Sequence, residues 1–248
     1  MPHSTARTLV WTAAACASTD MILATRNAGK VREFNSLLHE VLGDIPLISL
    51  AECGLAVPEV EEDGDTFEAN ALKKALEVSL FTGMSVLADD SGLEVDALGG
   101  RPGVYSARYA GEQGDDHANN LKLVHEVSGV PVDQRQARYV AVLALCLAPD
   151  AEGQTLARRF GIQDAEPFEG TPPLGVAVRQ RDRIVLLFRG TCEGVIITQP
   201  RGEGGFGYDP YFLIPQWDLT MAEVPLDQKN TISHRAQVVQ KLLSFAPN

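Results

Sequence analysis

Short apolar runs typical of strands alternate with segments whose apolar residues recur at helical spacing, and this alternation predicts an α/β fold. The run at 21–24 is followed by the loop "TRNAGK" and then by a helical pattern over 31–42 that ends at Gly43. The longest apolar run, residues 140–148, is far shorter than the ~20 residues that span a bilayer. We therefore expect it to be a buried strand.

Further elements continue this alternation. A polar loop leads into a second helix, for which Asp65 is the predicted N-cap, Glu68 completes a capping box and Gly83 is the C-terminal stop. The last helix is "SHRAQVVQKLLSF", with Ser233 as its cap. The remaining predicted strands are "SVLAD", "ARYVAVLALCLA" and a pair formed by "DRIVLLFRG" and "EGVIIT".

The composition limits the classes of partner and compartment. The chain has 248 residues, 45% of them hydrophobic, which is enough for one sizeable core. Its formal net charge of -12 argues against a protein that coats the phosphates of a nucleic acid polymer. The four cysteines are scattered and match no zinc motif, so we expect reduced thiols and a cytoplasmic protein that contacts no membrane.

Two parts of the chain fall outside the regular alternation. Residues 1–20 weakly resemble a secretory signal, but we favour a loose extension that precedes a single domain at 21–248. Residues 150–183 are rich in Pro, Gly and charge. They predict an insertion that leaves the sheet as a hairpin or a flap, with a strand at 174–178.

The stretch "TRNAGK" joins the first predicted strand to the first helix. The free N–H groups and partial positive charge of a helix N-terminus suit a phosphate, and Lys30 adds a full charge. A Walker A loop would require Gly and then Ser or Thr where this chain has Ala24 and Val31, so the stretch is not that motif. An ordinary turn shaped by Asn27 and Gly29 is an equally good interpretation.

The polar loop before the second helix contains Glu61, Glu62 and Asp63. On the helix that follows, Asn70 and Lys74 lie on one face. Because Mg²⁺ in phosphate sites takes a few oxygen ligands, a loop carboxylate and Lys74 together suit a metal-bound phosphate. A solvated acidic turn is the alternative, and it is the more common role of such a charge run.

Asp89, Asp90 and Ser91 follow an apolar run, which predicts that they lie where a strand leaves the sheet. Ligands of open α/β sheets gather at such positions, where an Asp can bind Mg²⁺ and accept a proton from water. Neighbouring side chains on a strand point to opposite faces, so the two Asp residues cannot share one role. A capping carboxylate beside an exposed one is the alternative.

Two later stretches offer contacts for a nucleotide base. In "GEGGFGYDP", Phe206 and Tyr208 provide faces for stacking, and Asp209 can accept a hydrogen bond from a base N–H. In "KNTISHRAQ", the first turn of the last helix carries His234 and Arg235, which can donate to carbonyl oxygens of a base. A glycine-rich strand turn and a basic helix start on the surface are the alternatives.

Five stretches, in this order, closely resemble the motifs of the noncanonical purine nucleoside triphosphate pyrophosphatases, which act on inosine and xanthosine triphosphates. They are "TRNAGK", "FEANALKKA", "LADDSGLEVDALGGRPGVYSARYAG", "GGFGYDP" and "SHR". The resemblance implies a two-lobed α/β fold with a long central mixed β-sheet flanked by helices and an active site in the cleft between the lobes. It also implies hydrolysis of ITP, dITP and XTP to the monophosphate and pyrophosphate, with Mg²⁺, by a homodimer.

Carried over by position, the resemblance implies that Glu62 and Asp90 bind Mg²⁺ and that Asp90 is the catalytic residue that activates water. It implies that a second set of residues binds the substrate: Thr25, Arg26, Asn27, Ala28, Gly29, Lys30, Asn70, Lys74, Ser91, Phe206, Gly207, Tyr208, Asp209, Lys229, His234 and Arg235. The first eight of these would hold the triphosphate, and the last seven would form the pocket for a 6-oxopurine base.

Three features depart from the family: Arg26, where members commonly have Gly, the length of the segment 150–183, and the extension 1–20. Three rival interpretations stay open. One is a pyrophosphatase for other altered nucleotides, such as modified pyrimidines. Another is a nucleotide-binding regulator without turnover, against which the intact Glu62 and Asp90 argue. The third is a secreted or lipid-anchored role of the N-terminal stretch.

Overall fold

A computed structural model of the protein describes residues 21–42 and 46–245. The predicted N-terminal extension and the predicted helix stop at Gly43 lie outside the described residues. The strands are Met21–Leu23 (β1), Leu47–Ser49 (β2), Val86–Val95 (β3), Gln136–Leu147 (β4), Glu166–Pro167 (β5), Val178–Gln180 (β6), Arg183–Ile196 (β7), Phe212–Ile214 (β8) and Leu219–Thr220 (β9). The helices are Ala28–Leu42 (α1), Phe67–Thr82 (α2), Asp116–Val127 (α3), Ala151–Arg159 (α4), Leu226–Ile232 (α5) and His234–Phe245 (α6).

The strands form one nine-stranded mixed sheet in the order β2-β1-β3-β4-β7-β6-β5, with β8 paired to β7 and β9 paired to β8. The short strands β1 and β2 run parallel to each other, and β1 also runs parallel to β3. The long strands β3, β4 and β7 are antiparallel neighbours and form the centre of the sheet. The predicted α/β class with a long central mixed sheet is confirmed.

Helices cover both faces of the sheet. This explains why the sequence of β4 is a continuous apolar run. Leu143 and Leu145 pack on one face with residues of α1, α4 and α6. Val142 and Ala144 pack on the other face with residues of α2. A strand buried on both faces needs apolar residues at every position, which explains the longest apolar run of the sequence.

A third apolar cluster marks the second lobe. The C-terminal end of β3, with Leu93 and Val95, packs there with Tyr139 of β4, Phe212 of β8 and Leu123 of α3. The long strands therefore extend beyond β1 and β2 and carry a core of their own. The cleft between the lobes lies where β3 passes the end of β1.

Two predicted strand boundaries are wrong. β3 does not leave the sheet at Asp89, because β4 pairs with it residue by residue to Val95. The predicted pair "DRIVLLFRG" and "EGVIIT" is one strand, β7. The polar residues Thr191 and Glu193 in the middle of β7 are typical of a turn, which explains the wrong prediction. In the structure they alternate with buried residues and lie on the exposed face of the strand.

The boundaries of α2 correct one prediction and confirm another. The N-cap is Thr66, whose hydroxyl accepts a hydrogen bond from the Ala69 N–H at 3.1 Å, and not Asp65. The helix therefore begins at Phe67, one residue later than predicted, because Thr66 provides the capping oxygen. Gly83 ends the helix at φ 77°, in the left-handed region that favours glycine, as predicted.

The segment 150–183 has a packed first half, whereas residues 166–171 and 173–176 are exposed. Leu156 and Ala157 of α4 and Phe160 after it belong to the apolar cluster that contains Leu145 of β4. β5 and β6 extend the sheet at one edge. The strand predicted at 174–178 is wrong except for Val178, because only Val178–Gln180 pair with β7.

Candidate functional site

A cavity of about 710 Å³ lies at the cleft where β3 passes β1. Eight residues predicted as site residues line it: Thr25, Arg26, Asn27, Lys30, Glu62, Lys74, Asp90 and Ser91. The apolar part of its wall comes from Leu50, Val60, Val78 and Val104. The cavity therefore combines the predicted phosphate loop, the acidic loop and the β3 carboxylate in one place.

The predicted phosphate loop is shorter than its motif, because α1 already begins at Ala28. The Asn27 side chain caps this helix: its Oδ1 accepts hydrogen bonds from the N–H groups of Gly29 at 2.8 Å and Lys30 at 3.1 Å. Thr25 in turn accepts from the Asn27 N–H at 3.1 Å. The loop thus presents a helix N-terminus and the Lys30 ammonium group on one side of the cavity.

Asp90 lies in the middle of β3 and faces the cavity, and its Oδ2 is buried without a hydrogen-bond partner among the described residues. Burial, with the carboxylates of Glu62 and Asp89 nearby, raises the pKa of Asp90 to about 6 despite the opposing charge of Lys74. A buried, unpaired carboxyl group at the cavity wall can bind a cation or accept a proton.

Glu62 and Lys74, which also line this cavity, form an ion pair. Lys74 also donates to the Asp89 carbonyl oxygen at 3.0 Å. Burial lowers the pKa of Lys74, but the carboxylates of Glu62 and Asp90 raise it above its ordinary value, so Lys74 is charged. Positive charge is thus held beside both predicted metal ligands.

Two further residues hold the acidic loop in place. Arg108 donates from Nη2 to the Glu62 carbonyl oxygen at 2.8 Å, and it lines the cavity. Asn70 does not line the cavity; it is buried, and its Oδ1 accepts from the Gly64 N–H at 2.7 Å. Sequence reasoning missed Arg108, although it lies within the long motif that carries the family resemblance.

Asp89 lies on the opposite face of β3 from Asp90, as the strand alternation predicted. Its Oδ2 pairs with Lys30 Nζ at 2.6 Å, accepts from the Ser91 hydroxyl at 2.8 Å and lies 3.8 Å from Arg235 Nε. Burial alone would raise its pKa, but Lys30 and Arg235 hold the pKa well below its usual range. Asp89 is therefore a charged, paired carboxylate.

Asp89 belongs to a group of buried charged residues that we call the buried charge cluster. Its members are Glu33, Asp89, Asp209, Lys229 and Arg235. Glu33 pairs with Lys229 at 2.8 Å and with Arg235 at 2.7 Å, and Lys229 also pairs with Asp209 at 2.9 Å. Each of the five is less than a tenth exposed. Sequence reasoning missed Glu33, whose only signal is its position one helical turn after Lys30.

Phe206 covers this cluster. Its ring centroid lies 5.3 Å from the Arg235 guanidinium carbon and 5.5 Å from Lys229 Nζ, within the range of cation–π contact. The ring also packs on Gly29, where a Cβ atom would lie 2.7 Å from Phe206. Phe206 therefore joins the phosphate loop to the buried charge cluster, and Gly29 is required by this close approach.

Other residues of the predicted base pocket are buried and engaged within the protein. The Tyr208 hydroxyl donates to the Ser106 carbonyl oxygen at 2.7 Å, and Asp209 accepts from the Tyr139 hydroxyl at 2.9 Å. His234 stacks on Tyr139 at 4.9 Å, and burial together with Arg235 keeps its pKa well below the usual value. His234 is therefore neutral.

The described residues of the predicted base pocket do not line the cavity: Phe206, Gly207, Tyr208, Asp209, Lys229, His234 and Arg235. They lie next to it, because Lys30 of the cavity wall pairs with Asp89 of the buried charge cluster. The structure thus brings together most of the residues predicted to bind the triphosphate and the metal. The residues predicted to bind the base lie beside the cavity, where they contact one another and other parts of the protein.

The carboxylates of the cavity suit a magnesium ion that is shared with a phosphate. Among the described residues, no group of three or more His, Cys, Asp or Glu side chains could hold a metal ion. Mg²⁺ at phosphate sites commonly uses one or two carboxylates and completes its shell with water and phosphate oxygens. Glu62 and the unpartnered Oδ2 of Asp90 match that requirement.

Within the part of the chain that the structure describes, no helix has the length and apolar character needed to cross a membrane.

Comparison with known proteins agrees with the motifs. The model of the Ham1 family matches residues 21–160 and 174–245, which leaves residues 161–173 between the matched ranges. A dITP/XTP pyrophosphatase of Desulforamulus reducens is 44% identical over 225 residues, covering 91% of this chain and 94% of that protein. One of Bacillus subtilis is 44% identical over 223 residues, covering 90% and 94%.

Solved structures agree as well. The Ham1 protein of Staphylococcus aureus is 34% identical, with a TM-score of 0.68, and the match covers 91% of this chain and 97% of that one. A nucleoside-triphosphatase, also named dITP/XTP pyrophosphatase, from Mycobacterium abscessus is 33% identical with a TM-score of 0.63, covering 90% and 98%. The family resemblance predicted from the five motifs is confirmed.

Proposed function

Because this chain belongs to the Ham1 family, we propose that it hydrolyses ITP, dITP and XTP to the nucleoside monophosphate and pyrophosphate, and so removes these nucleotides from the pool. The observation that carries the proposal is the cavity wall at Asp90. There a buried carboxyl group with an unpartnered oxygen lies beside Glu62 and Lys74, in a cavity that Asn27 at the start of α1 also lines.

Glu62 and Asp90 are the residues that would hold Mg²⁺ in this proposal. When bound, the ion neutralises phosphate charge and lowers the pKa of a coordinated water. Asp90 accepts the proton of the attacking water. The water oxygen attacks the α-phosphorus, the bond to the bridging oxygen breaks, and pyrophosphate leaves with the electron pair.

The triphosphate is bound by Thr25, Arg26, Asn27, Ala28, Gly29 and Lys30, with Lys74 opposite. The N–H groups at the start of α1 and the two ammonium groups stabilise the negative charge that the leaving pyrophosphate develops. Asn70 contributes indirectly, because its contact with Gly64 holds the loop that carries Glu62. Ser91 contacts the substrate from β3, next to Asp90.

The base is bound by Phe206, Gly207, Tyr208, Asp209, Lys229, His234 and Arg235. Donors from Lys229 and Arg235 suit the 6-oxo group of hypoxanthine and xanthine and leave the amine of adenine poorly paired. In the structure Glu33 and Asp209 form ion pairs with these cations beneath Phe206. Phe206, which covers these cations, stacks on the purine.

The proposal includes a cytoplasmic homodimer whose domain spans residues 21–248, with an insertion at about 150–183. Two observations support parts of it. Cys146 and Cys192 are buried, and burial raises the pKa of each thiol to about 11, which suits thiols that stay reduced. Exposed apolar side chains such as Tyr105 and Leu121 offer surface that a second copy can cover.

A substrate panel tests the proposal. Pyrophosphate release is measured with Mg²⁺ for dITP, XTP, dUTP and the four common triphosphates, and kcat/KM is compared. We expect dITP and XTP to exceed the others. Preference for dUTP would favour a pyrophosphatase for altered pyrimidines, and binding without any pyrophosphate release would favour a regulator.

A further inference from the structure

Helix α3 holds the loop that carries Phe206. Asp116 Oδ2 accepts a hydrogen bond from the Gly207 N–H at 2.8 Å, and Asn120 Nδ2 donates to the Gly207 carbonyl oxygen at 2.9 Å. The two side chains lie four residues apart, on one face of α3. Both peptide groups of Gly207 are thus bound to one helix, about ninety residues away in sequence.

These contacts determine where Phe206 lies. Gly207 has φ +62°, so the chain turns sharply directly after Phe206. The Phe206 N–H donates to Asp209 Oδ2 at 3.1 Å, which holds the other side of the residue. With the backbone held at both sides, the ring is directed onto Gly29 and over Lys229.

The same turn of α3 also holds the cavity wall. Asn119 Oδ1 accepts from the Ala110 N–H at 2.7 Å, and its Nδ2 donates to the Ala107 carbonyl oxygen at 3.3 Å. Ala107 and Arg108 line the cavity. The neighbouring residues Asn119 and Asn120 therefore connect the wall of the triphosphate cavity with the loop of the base side.

We propose that Asp116 and Asn120 are positioning residues for base recognition, which hold Phe206 through Gly207 at the place where it stacks on the purine. The inference rests on the proposed function, since it takes Phe206 as the stacking residue. Neither residue contacts the reacting groups. They act on substrate binding through the geometry of the loop.

The exposure of Asp116 and the unpaired oxygen of Asn120 point to a role in positioning the loop. Asp116 is exposed, so removing its carboxylate leaves the Gly207 N–H to water at little cost to folding. Asn120 is buried, and its Oδ1 has no hydrogen-bond partner among the described residues. The Asn120 side chain donates to the Gly207 carbonyl oxygen, while its own oxygen stays unpaired. Because a buried amide group is costly when it is partly unpaired, this contact is the function that we assign to Asn120.

Steady-state kinetics of four variants test the proposal. Asp116→Ala and Asn120→Ala remove the two contacts, Asp116→Asn retains an acceptor, and His117→Asn changes an exposed neighbour on the same helix. We expect KM for dITP to rise about fivefold in each alanine variant, with kcat little changed. Asp116→Asn is expected to recover most of the wild-type KM, and His117→Asn to retain it.

Fluorine NMR provides a readout that folding alone does not move. The protein is labelled with 4-fluorophenylalanine, and the Phe206 resonance is assigned by its loss in Phe206→Leu. In the nucleotide-free protein we expect this resonance to shift in Asp116→Ala and Asn120→Ala and to stay in place in His117→Asn, because the ring leaves the neighbouring cations.

The outcomes separate this inference from the proposed function. Wild-type KM and an unshifted resonance in both alanine variants would overturn the positioning role. A loss of kcat and stability together at constant KM would overturn it as well, because that result describes a structural contact. If wild-type protein released no pyrophosphate from dITP or XTP, the proposed function would fail, whatever the position of the Phe206 resonance.

Discussion

The cavity at Asp90 and the buried charge cluster beneath Phe206 are built from the same kinds of side chain, yet their charges are balanced differently. In the cluster, Glu33 and Asp209 each pair with at least one cation at 2.7 to 2.9 Å. Asp89 of the cluster also leaves its Oδ1 unpartnered, but its Oδ2 pairs with Lys30 at 2.6 Å. In the cavity, Asp90 forms no ion pair with a described residue, its Oδ2 has no hydrogen-bond partner there, and its pKa rises to about 6. Pairing produces fixed geometry, whereas incomplete pairing leaves a group free to bind or react.

The largest expected effect is that of Asp90→Asn. Because the amide cannot accept the proton of the attacking water or bind a cation well, we expect kcat for dITP to fall at least about a thousandfold. Pyrophosphate release measures the loss, and urea unfolding serves as the control, since the substitution should leave stability equal or higher. Turnover near the wild-type value would contradict the assignment of Asp90.

Asp89→Asn tests the other face of the same strand. It removes the carboxylate that faces Lys30 and Arg235, and breaking a buried pair of this kind costs about 3 kcal/mol of unfolding free energy. Urea denaturation measures this loss. We expect a smaller loss of kcat than in Asp90→Asn. Equal, complete inactivation in a variant that still folds would mean that both carboxylates belong to one reactive site.

The pH dependence of kcat/KM tests the raised pKa of Asp90. Activity needs the ionised carboxylate, so kcat/KM should fall as the pH drops through about 6, by about tenfold per unit. NMR titration of ¹³C-labelled Asp, with Asp90→Asn to assign the signal, separates this group from the titrating phosphate of the substrate. A signal that titrates near pH 4 would show that burial and Glu62 do not raise this pKa.

The smallest effect is expected for Arg26→Gly, which introduces the residue common in the family. Arg26 is exposed, and its Nη2 donates to the Val57 carbonyl oxygen at 2.7 Å, so it connects two cavity loops without entering the buried charge cluster. We expect KM for dITP to rise about threefold or less, as for loss of one exposed hydrogen bond. A rise as large as that in Lys30→Ala would show that Arg26 contributes as much to triphosphate binding as Lys30.

The features that sequence reasoning predicted are local. The opposed directions of Asp89 and Asp90 follow from the two-residue period of a strand, and the phosphate loop follows from a strand, a turn with Asn27 and a helix. The cavity residues Glu62 and Lys74 could be predicted for the same reason, because they lie close together in the chain.

The features that it missed depend on distant contacts. Glu33 reaches Arg235 across 202 residues, and Asp116 reaches Gly207 across 91. The predicted end of β3 was wrong for a related reason. Ser91 and Gly92 are typical of the end of a strand, but pairing with β4 overrides this local signal.

The pairing of β3 with β4 places Asp90 opposite Val142 and Asp89 opposite Leu143. A shift of a single residue would direct Asp89 into the cavity and Asp90 toward Lys30, since each step along a strand reverses the face. An insertion of an even number of residues before Asp90 would keep the face to which each aspartate points. An insertion of an odd number would exchange the two faces. This part of the chain is therefore far less tolerant of small insertions than residues 161–173, which fall between the matched ranges of the family.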